Sequence, residues 1–361
     1  MIRILHAADL HLDSPFAALS PEQAAQRRAE QRELLRRLAE ECDRLGCQLL
    51  LLAGDLFDSD SIYRETAELL REILGSIHAR VFIAPGNHDP FSPASPYASL
   101  QWPDNVHIFR SGTIESVRLP EPGVTVYGAA FTEPRQGPLL SGFRSEERIL
   151  SSVMVIHGTL DDADAFYNPI SEAQILESGL DYLALGHVHR REIRKIGKTT
   201  VANPGCAMGR GFDETGPKGA LYVELDGSEC RVEPVDLGGR RYESLSVRVD
   251  GDPLEAVEAV LPKQTERDVY RITLTGSCTA ESVRNAQAVL APRFYALELI
   301  DRTLPPRSLW EDAAEDSLKG VFLRSLKECY DAAEDVDGRR LAADAAALGL
   351  ALMEGREVPE L

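Results

Sequence analysis

Hydrophobic positions along this chain fall into short unbroken runs and longer helical stripes that alternate. Runs at residues 2–5, 49–52, 81–83, 153–156 and 182–185 are bounded by Gly, Pro or polar residues. Their length and flanks predict buried strands. Between the first two, Ser20-Pro21-Glu22-Gln23 reads as a capping box with Pro at the first helical position. Leu34, Leu38, Cys42 and Leu45 then recur at helical spacing, and Gly46 ends that helix. A second helix is predicted near residues 62–77, with Ile62, Leu69, Leu70, Ile73, Leu74 and Ile77 on one side. Strand, helix, strand, helix, strand opens a layered α/β domain.

The pattern changes near residue 240. Residues 245–249 alternate as a strand, 253–261 read as helix, 269–274 as strand, 280–290 as helix and 294–300 as strand. This predicts a compact β-α-β-α-β unit. After Pro305-Pro306, Leu318, Val321, Phe322, Leu326, Cys329 and Tyr330 recur at three- and four-residue steps. Leu341, Ala345, Leu348 and Leu352 form a second stripe after Gly338. Two amphipathic helices need a surface to bury against, either their own domain or a partner. The expected domains are therefore residues 1–240, 241–304 and 305–361.

Each of the five early runs delivers a polar block at its C-terminal end, where ligands bind in layered α/β sheets. The blocks are Asp9-Leu10-His11, Gly54-Asp55-Leu56-Phe57-Asp58, Gly86-Asn87-His88-Asp89, His157, and Gly186-His187-Val188-His189. Taken singly, each has a plain structural reading: a helix cap, a turn or a packed histidine. In one fixed order after five strands they describe a convergent site. Its donors are nitrogen and oxygen, with no Cys in any block, which suits Mn(II), Fe(II) or Zn(II). Asp9, His11, Asp55, Asn87, His157, His187 and His189 are too many ligands for one ion and fit two ions. Two metals roughly 3.5–4 Å apart serve in-line displacement at phosphorus. His88 is then free to act as a general acid. The remaining histidines read differently: His6 as packed inside a strand, His78 as a helix-end residue, His107 as a surface strand residue.

These blocks resemble the metallophosphoesterase superfamily over roughly residues 1–235. Ala-Asp-Leu-His-Leu-Asp-Ser-Pro-Phe at 8–16 and Gly-Asn-His-Asp-Pro at 86–90 resemble the SbcD-type DNA repair exonucleases, in particular their YhaO-like branch. The resemblance implies a sandwich of two mixed β-sheets flanked by helices, with a small α+β capping domain and a helical tail. It implies that Asp9, His11 and His189 hold one metal, Asn87, His157 and His187 the other, and that Asp55 bridges. His88 matches the catalytic histidine, and Asp58 would orient it or support the site from outside the ligand set. One position departs: Asp13 stands where many SbcD-type sequences have Gly, which leaves the ligands untouched but bears on that loop's substrate preference. The serine/threonine phosphatase pattern is not matched, because residues 54–60 and 85–89 lack its two phosphate-gripping arginines.

The chain has 361 residues, 43% hydrophobic and 27% charged, enough for a core and against global disorder. No apolar run is long enough to span a membrane. Met1-Ile2-Arg3-Ile4 passes straight into the first strand, which leaves no room for a signal peptide. Six cysteines, at 42, 47, 206, 230, 278 and 329, show neither metal nor disulfide spacing and read as reduced thiols. A cytoplasmic protein is expected. The net charge of −19 is unusual for a DNA-binding protein. Bound cations would reverse the charge at the site itself. Arg190, Arg191, Arg194, Lys195 and Lys198 also follow the last block with one acid, Glu192, among them. That run is either a solvated strand face or a DNA contact.

The expected function is a dinuclear, Mn-dependent phosphodiesterase acting on DNA: a 3′→5′ exonuclease with single-strand endonuclease action in DNA repair. By resemblance it would work with an SbcC-like coiled-coil ATPase docked on the helical tail, with room for a homodimer. The alternative is a cyclic-nucleotide or small-molecule phosphoesterase using the same site. A non-catalytic adaptor is disfavoured, since a scaffold needs neither the ligands nor His88.

Overall fold

The computed structural model describes residues 1–353 apart from 18, 60–61, 147–149, 162–165, 228 and 306. The expected tail runs on to 361, so its last eight residues lie outside the described ones. The chain divides into two compact units, Met1–Gly239 and Arg240–Leu361.

The first unit contains two six-stranded mixed sheets. One orders its strands Glu229–Asp236, Gly219–Asp226, Ile2–Ala7, Leu49–Leu52, Arg80–Ile83 and Val106–Ile108. The other orders Glu192–Ile196, Thr199–Asn203, Tyr182–Gly186, Ser151–His157, Val124–Gly128 and Glu115–Leu119. This is the sandwich of two mixed β-sheets that the family resemblance implied. Successive strand residues point to opposite faces, and the unbroken hydrophobic runs follow from burial on both. Ile4, Leu49, Leu51, Val153 and Val155 meet in the core between the sheets. Leu5, Leu50 and Leu52 face an outer core with Leu34, Leu35, Leu38, Leu70 and Leu74. Met154 and Ile156 face a third core with Ile175 and Leu180.

The first helix, Pro21–Arg44, begins with both bonds of the expected capping box, between Ser20 and Gln23. The second is shorter than expected, Arg64–Ser76 rather than 62–77. His6 is packed as expected and joins the two sheets: its Nδ1 lies 2.8 Å from the Tyr182 hydroxyl and its Nε2 3.1 Å from the Leu185 carbonyl. Burial pushes its pKa down to about 3 and keeps the ring neutral. His78 lies just past its helix, exposed and paired with Asp43 at 3.0 Å. His107 differs from expectation. It is half-buried, with its ring centroid 5.7 Å from that of Phe82 and 4.8 Å from that of Phe109, because position 107 points inward from an edge strand.

The second unit starts with a three-stranded parallel sheet of Tyr242–Val249, Val269–Ser277 and Ala296–Leu304. Helices Pro253–Glu258 and Ala280–Leu290 form the crossovers. The first of these stops short of 261, and the last strand starts two residues later than predicted, after a 3-10 turn at Ala291–Arg293. Helices Leu318–Ala332 and Val336–Met353 follow. Gly338 sits in the first turn of the last helix rather than before it. These helices pack on each other: Phe322 and Leu326 join Leu323, Ala346 and Leu350 in a small core. Arg340 ties the last helix to Asp301 of the third strand at 3.0 Å. Much of the 318–330 stripe is thus spent inside the unit, while Leu318, Val321, Leu341 and Leu352 stay exposed.

Leu323 is fully buried at the centre of that helical core. Leu323→Ala should cost about 2–5 kcal/mol, as for other leucines truncated in a core, and Leu318→Ala less than about 0.5 kcal/mol. Denaturant melts of the two variants check this. Equal stabilities would show that the helices do not pack as described.

Candidate metal centre

The five polar blocks meet at the C-terminal ends of five strands, three from one sheet and two from the other. The loops after the first two strands run side by side. Asp9 N–H donates to the Gly54 carbonyl at 3.0 Å, His11 N–H to Asp55 at 2.9 Å, and Leu12 N–H to Leu56 at 2.8 Å. Asp9, His11, Asp55 and His187 all have positive φ, 52°, 45°, 52° and 96°. Non-glycine residues seldom adopt this region, and such strain clusters at functional sites. Two glycines allow the close approach. A Cβ on Gly86 would collide with the Asp55 carboxylate and amide, and one on Gly186 with the Ala53 carbonyl.

Six of the seven predicted ligands fall into two groups. In one, Asp9, His11 and His189 offer atoms all within 4.8 Å of one another; in the other, Asp55, His157 and His187 do. The seventh, Asn87, points its Oδ1 at His157 Nε2 (3.0 Å) and His187 Nδ1 (2.9 Å). Asp55 faces both groups, with one carboxylate oxygen 3.3 Å from His157 Nε2 and 3.9 Å from His11 Nε2. Asp9 accepts the backbone N–H of His187 at 3.0 Å and lies 3.7 Å from His189 Nε2.

The donor set fits divalent cations. His11, His157 and His189 each turn Nδ1 outward to an oxygen: Asp58 at 3.0 Å, the Ala53 carbonyl at 2.8 Å and Glu214 at 2.5 Å. Each therefore offers Nε2 inward, and the Nε2 atoms of His11 and His189 stand 3.1 Å apart. Oxygen behind the ring is how metal-binding histidines are oriented. Asp9, His11, Asp55 and His157 are all buried. Burial raises the Asp9 carboxyl above its ordinary range, with Asp55 adding to the effect. At Asp55 burial acts the same way, but His157 and His11 outweigh it and pull the group below its ordinary range. At His157 burial is in turn overcome by Asp55 and Asp9, which lift the imidazole to about 9. Such mutual dependence is what a shared cation would relieve.

His88 stands apart. It is exposed, its Nδ1 lies 2.9 Å from the Asp58 backbone carbonyl, and its ring centroid is 4.9 Å from that of His11. Asp58 thus meets His88 through its backbone and His11 through its side chain. A group of His11, Asp58 and His88 would also be compact enough for an ion, but the Asp58 carboxylate is engaged by Arg210 at 2.6 Å.

Sequence reasoning missed three residues here. Residues 203–219, rich in Gly and Pro, read by composition as a loop that could equally approach the site or merely connect; the structure shows the former, because the loop brings Arg210 and Glu214 to the site. Arg210 contacts Asp58 and, at 3.2 Å, Glu214. Asp89 is visible in its block, but nothing in the sequence marks its role. Its carboxylate accepts N–H groups of Asp55, Leu56, Phe57 and Gly86 at 2.7–3.2 Å and the Tyr97 hydroxyl at 2.5 Å. It holds two ligand loops together. Burial, then the charge of Asp55, pushes its pKa up to about 7. Cys206 is buried in a group with His189 and Glu214. Burial pushes its pKa up to about 12, so the thiol stays protonated. Asp13 accepts from Arg32 at 3.2 Å, Thr66 at 2.9 Å and the Tyr63 N–H at 3.1 Å. A carboxylate there anchors both early helices, which a glycine would not do. In the basic run, Arg194 pairs with Asp161 and Glu172, and Lys198 with Asp181 at 3.1 Å.

His88→Ala and Asp55→Ala should separate acid from ligand. Losing a general acid typically costs 10²–10⁴-fold in rate, so His88→Ala should lose activity at full metal content. Asp55→Ala should lose metal as well, and more than Asp58→Ala. Elemental analysis beside turnover reads this out. A missing metal equivalent in His88→Ala, or full occupancy in Asp55→Ala, would contradict the assignments.

The calcineurin-like phosphoesterase family model matches residues 2–191. The uncharacterized metallophosphoesterase YhaO of Bacillus subtilis is 30% identical over 244 residues, which cover 64% of this chain and 59% of YhaO. The DNA double-strand break repair protein Mre11 of Aeropyrum pernix is 27% identical over 269 residues, 69% of this chain and 64% of that protein. The SbcD component of the B. subtilis nuclease SbcCD is 24% identical over 258 residues, 60% of this chain and 64% of its own. The matches thus span 59–64% of the length of these relatives.

Proposed function

The chain belongs to the calcineurin-like phosphoesterase family, and from that premise we propose that it is a dinuclear-metal phosphodiesterase that cleaves DNA. The observation that carries this reading is Asp55. One carboxylate oxygen faces two imidazole sets, while His88 stands beside them with its own support. Asp9, His11 and His189 would hold one divalent cation, Asn87, His157 and His187 the other, and Asp55 both. Bound there, such ions supply Lewis acidity and an activated water for in-line attack at phosphorus.

The protein's own residues do the rest. The Asp58 carbonyl accepts from His88 Nδ1–H and so leaves Nε2 as the atom that gives or takes a proton. Placed at the site's open side, His88 protonates the departing oxygen. Asp89 keeps Asp55 and Asn87 in register. DNA is the proposed substrate because two of the relatives are a double-strand break repair protein and a component of a nuclease. Mn(II) suits the nitrogen and oxygen donors, and 3′→5′ polarity rests on the SbcD-type resemblance alone. An SbcC-like ATPase would dock on the exposed Leu318, Val321, Leu341 and Leu352 of the terminal helices, with residues 241–304 as a cap. The described helices include none able to cross a membrane, and six free cysteines suit a reducing compartment; the cytoplasm is the proposed location.

A second reading has its own support. The net charge is −19, and Arg194 and Lys198 of the basic run are already paired with acids. Both favour a small phosphoester over a polyanion. Purified protein with Mn(II) should cleave labelled single- and double-stranded DNA as well as a small chromogenic phosphodiester. Cleavage of the diester without any DNA product would replace the nuclease with a small-molecule phosphoesterase. Activity on neither would refute both.

A further inference from the structure

The two imidazole groups differ in what stands behind them. His157 is backed by a neutral carbonyl, that of Ala53. His11 and His189 are both backed by carboxylates, Asp58 and Glu214. Arg210 joins these carboxylates. Its Nη1 donates to Asp58 at 2.6 Å and its Nη2 to Glu214 at 3.2 Å. Glu214 also accepts the Arg210 backbone N–H at 2.7 Å, which closes the loop on itself.

The loop is also fixed from behind. Arg27, fully buried in the first helix, donates to the Gly209 carbonyl at 2.8 Å. One turn on, Gln31 donates to the His11 carbonyl at 2.7 Å. The same helix face therefore holds both segments that serve the Asp9, His11 and His189 group. Both ends of the Arg210 fork are taken by carboxylates, so it is not disposed to grip a phosphate. Its position suits a clamp.

We propose that Glu214 is a positioning residue, clamped to Asp58 by Arg210, that fixes and strengthens His189 as a ligand and makes the Asp9–His11–His189 ion the tighter of the two. This rests on the dinuclear reading above and deepens it. A carboxylate behind an imidazole raises its basicity and fixes the ring, and loss of such a partner typically weakens metal binding 10–100-fold. The second ion, which Glu214 does not back, should be spared.

The test is titration of metal-free protein with Mn(II) alone, followed by calorimetry and electron paramagnetic resonance. Wild type should take up two equivalents, with the spin-coupled signal of a dinuclear pair. Glu214→Ala should weaken the tighter equivalent about 10–100-fold and change the other less than about twofold. At limiting Mn(II) its spectrum should turn mononuclear. Glu214→Gln keeps an oxygen toward Nδ1–H, so its loss should be smaller. If Glu214→Ala does not fold, Glu214→Gln decides by the same criterion. An unchanged tighter equivalent would overturn the proposal. So would parallel weakening of both equivalents with a lower metal-free melting temperature, since the loop would then serve packing alone. Wild type that binds fewer than two equivalents would instead overturn the dinuclear reading.

Discussion

Asp9 and Asp55 are buried within a few ångströms of four imidazoles, and the fold of the first unit is arranged around that cluster. Buried charge is tolerated only when it is paired and hydrogen-bonded. Each member here depends on its neighbours for its charge state: Asp55 is held down by His157, and His157 is held up by Asp55. The backbone bears a cost for this convergence, since four of the seven proposed ligands have positive φ without being glycine. Such strain persists only where the surroundings over-determine it. The pairing of the two ligand loops, the five hydrogen bonds accepted by Asp89 and the His6 link between sheets supply that constraint.

The large elements of this arrangement were legible in the sequence for simple reasons. A strand buried on both faces reads as an unbroken apolar run, and the five runs ending in polar blocks marked both sheets and the site. The Ser20 capping box marked the first helix start to the residue. What escaped was set by tertiary contact. His107 sits in a three-residue edge strand, too short for its inward face to show as alternation. Glu214 and Arg210 lie in a loop whose composition left open whether it approaches the site or merely connects, because their role comes from reaching His189 and Asp58, 25 and 152 residues away in sequence. Asp89 is in plain view, but a buried carboxylate that organises loops looks no different in sequence from one that binds metal. The stripe at Phe322 and Leu326 reads equally as partner surface or own core, and packing against Leu323 and Ala346 could be known only from the fold.

The chemistry that follows divides labour between groups of different exposure. The proposed ligands sit inside or half inside, backed by oxygens that fix which ring nitrogen is offered. His88 sits outside them, exposed on the Asp58 carbonyl, where the proposed general-acid role would need it. Asp58 links the two tasks, with its carboxylate behind His11 and its carbonyl behind His88. The net charge of −19 and the internally paired Arg194 and Lys198 mean that, if the proposed substrate is DNA, its attraction would have to come from the proposed cations or a partner.

The central claim is that this cluster holds two cations bridged by Asp55. Anomalous diffraction from crystals grown with Mn(II) tests it most directly. Two anomalous peaks roughly 3.5–4 Å apart are expected, one among Asp9, His11 and His189, the other among Asn87, His157 and His187, with Asp55 touching both. A single peak, or a peak held by His88 and Asp58 in place of either, would contradict it.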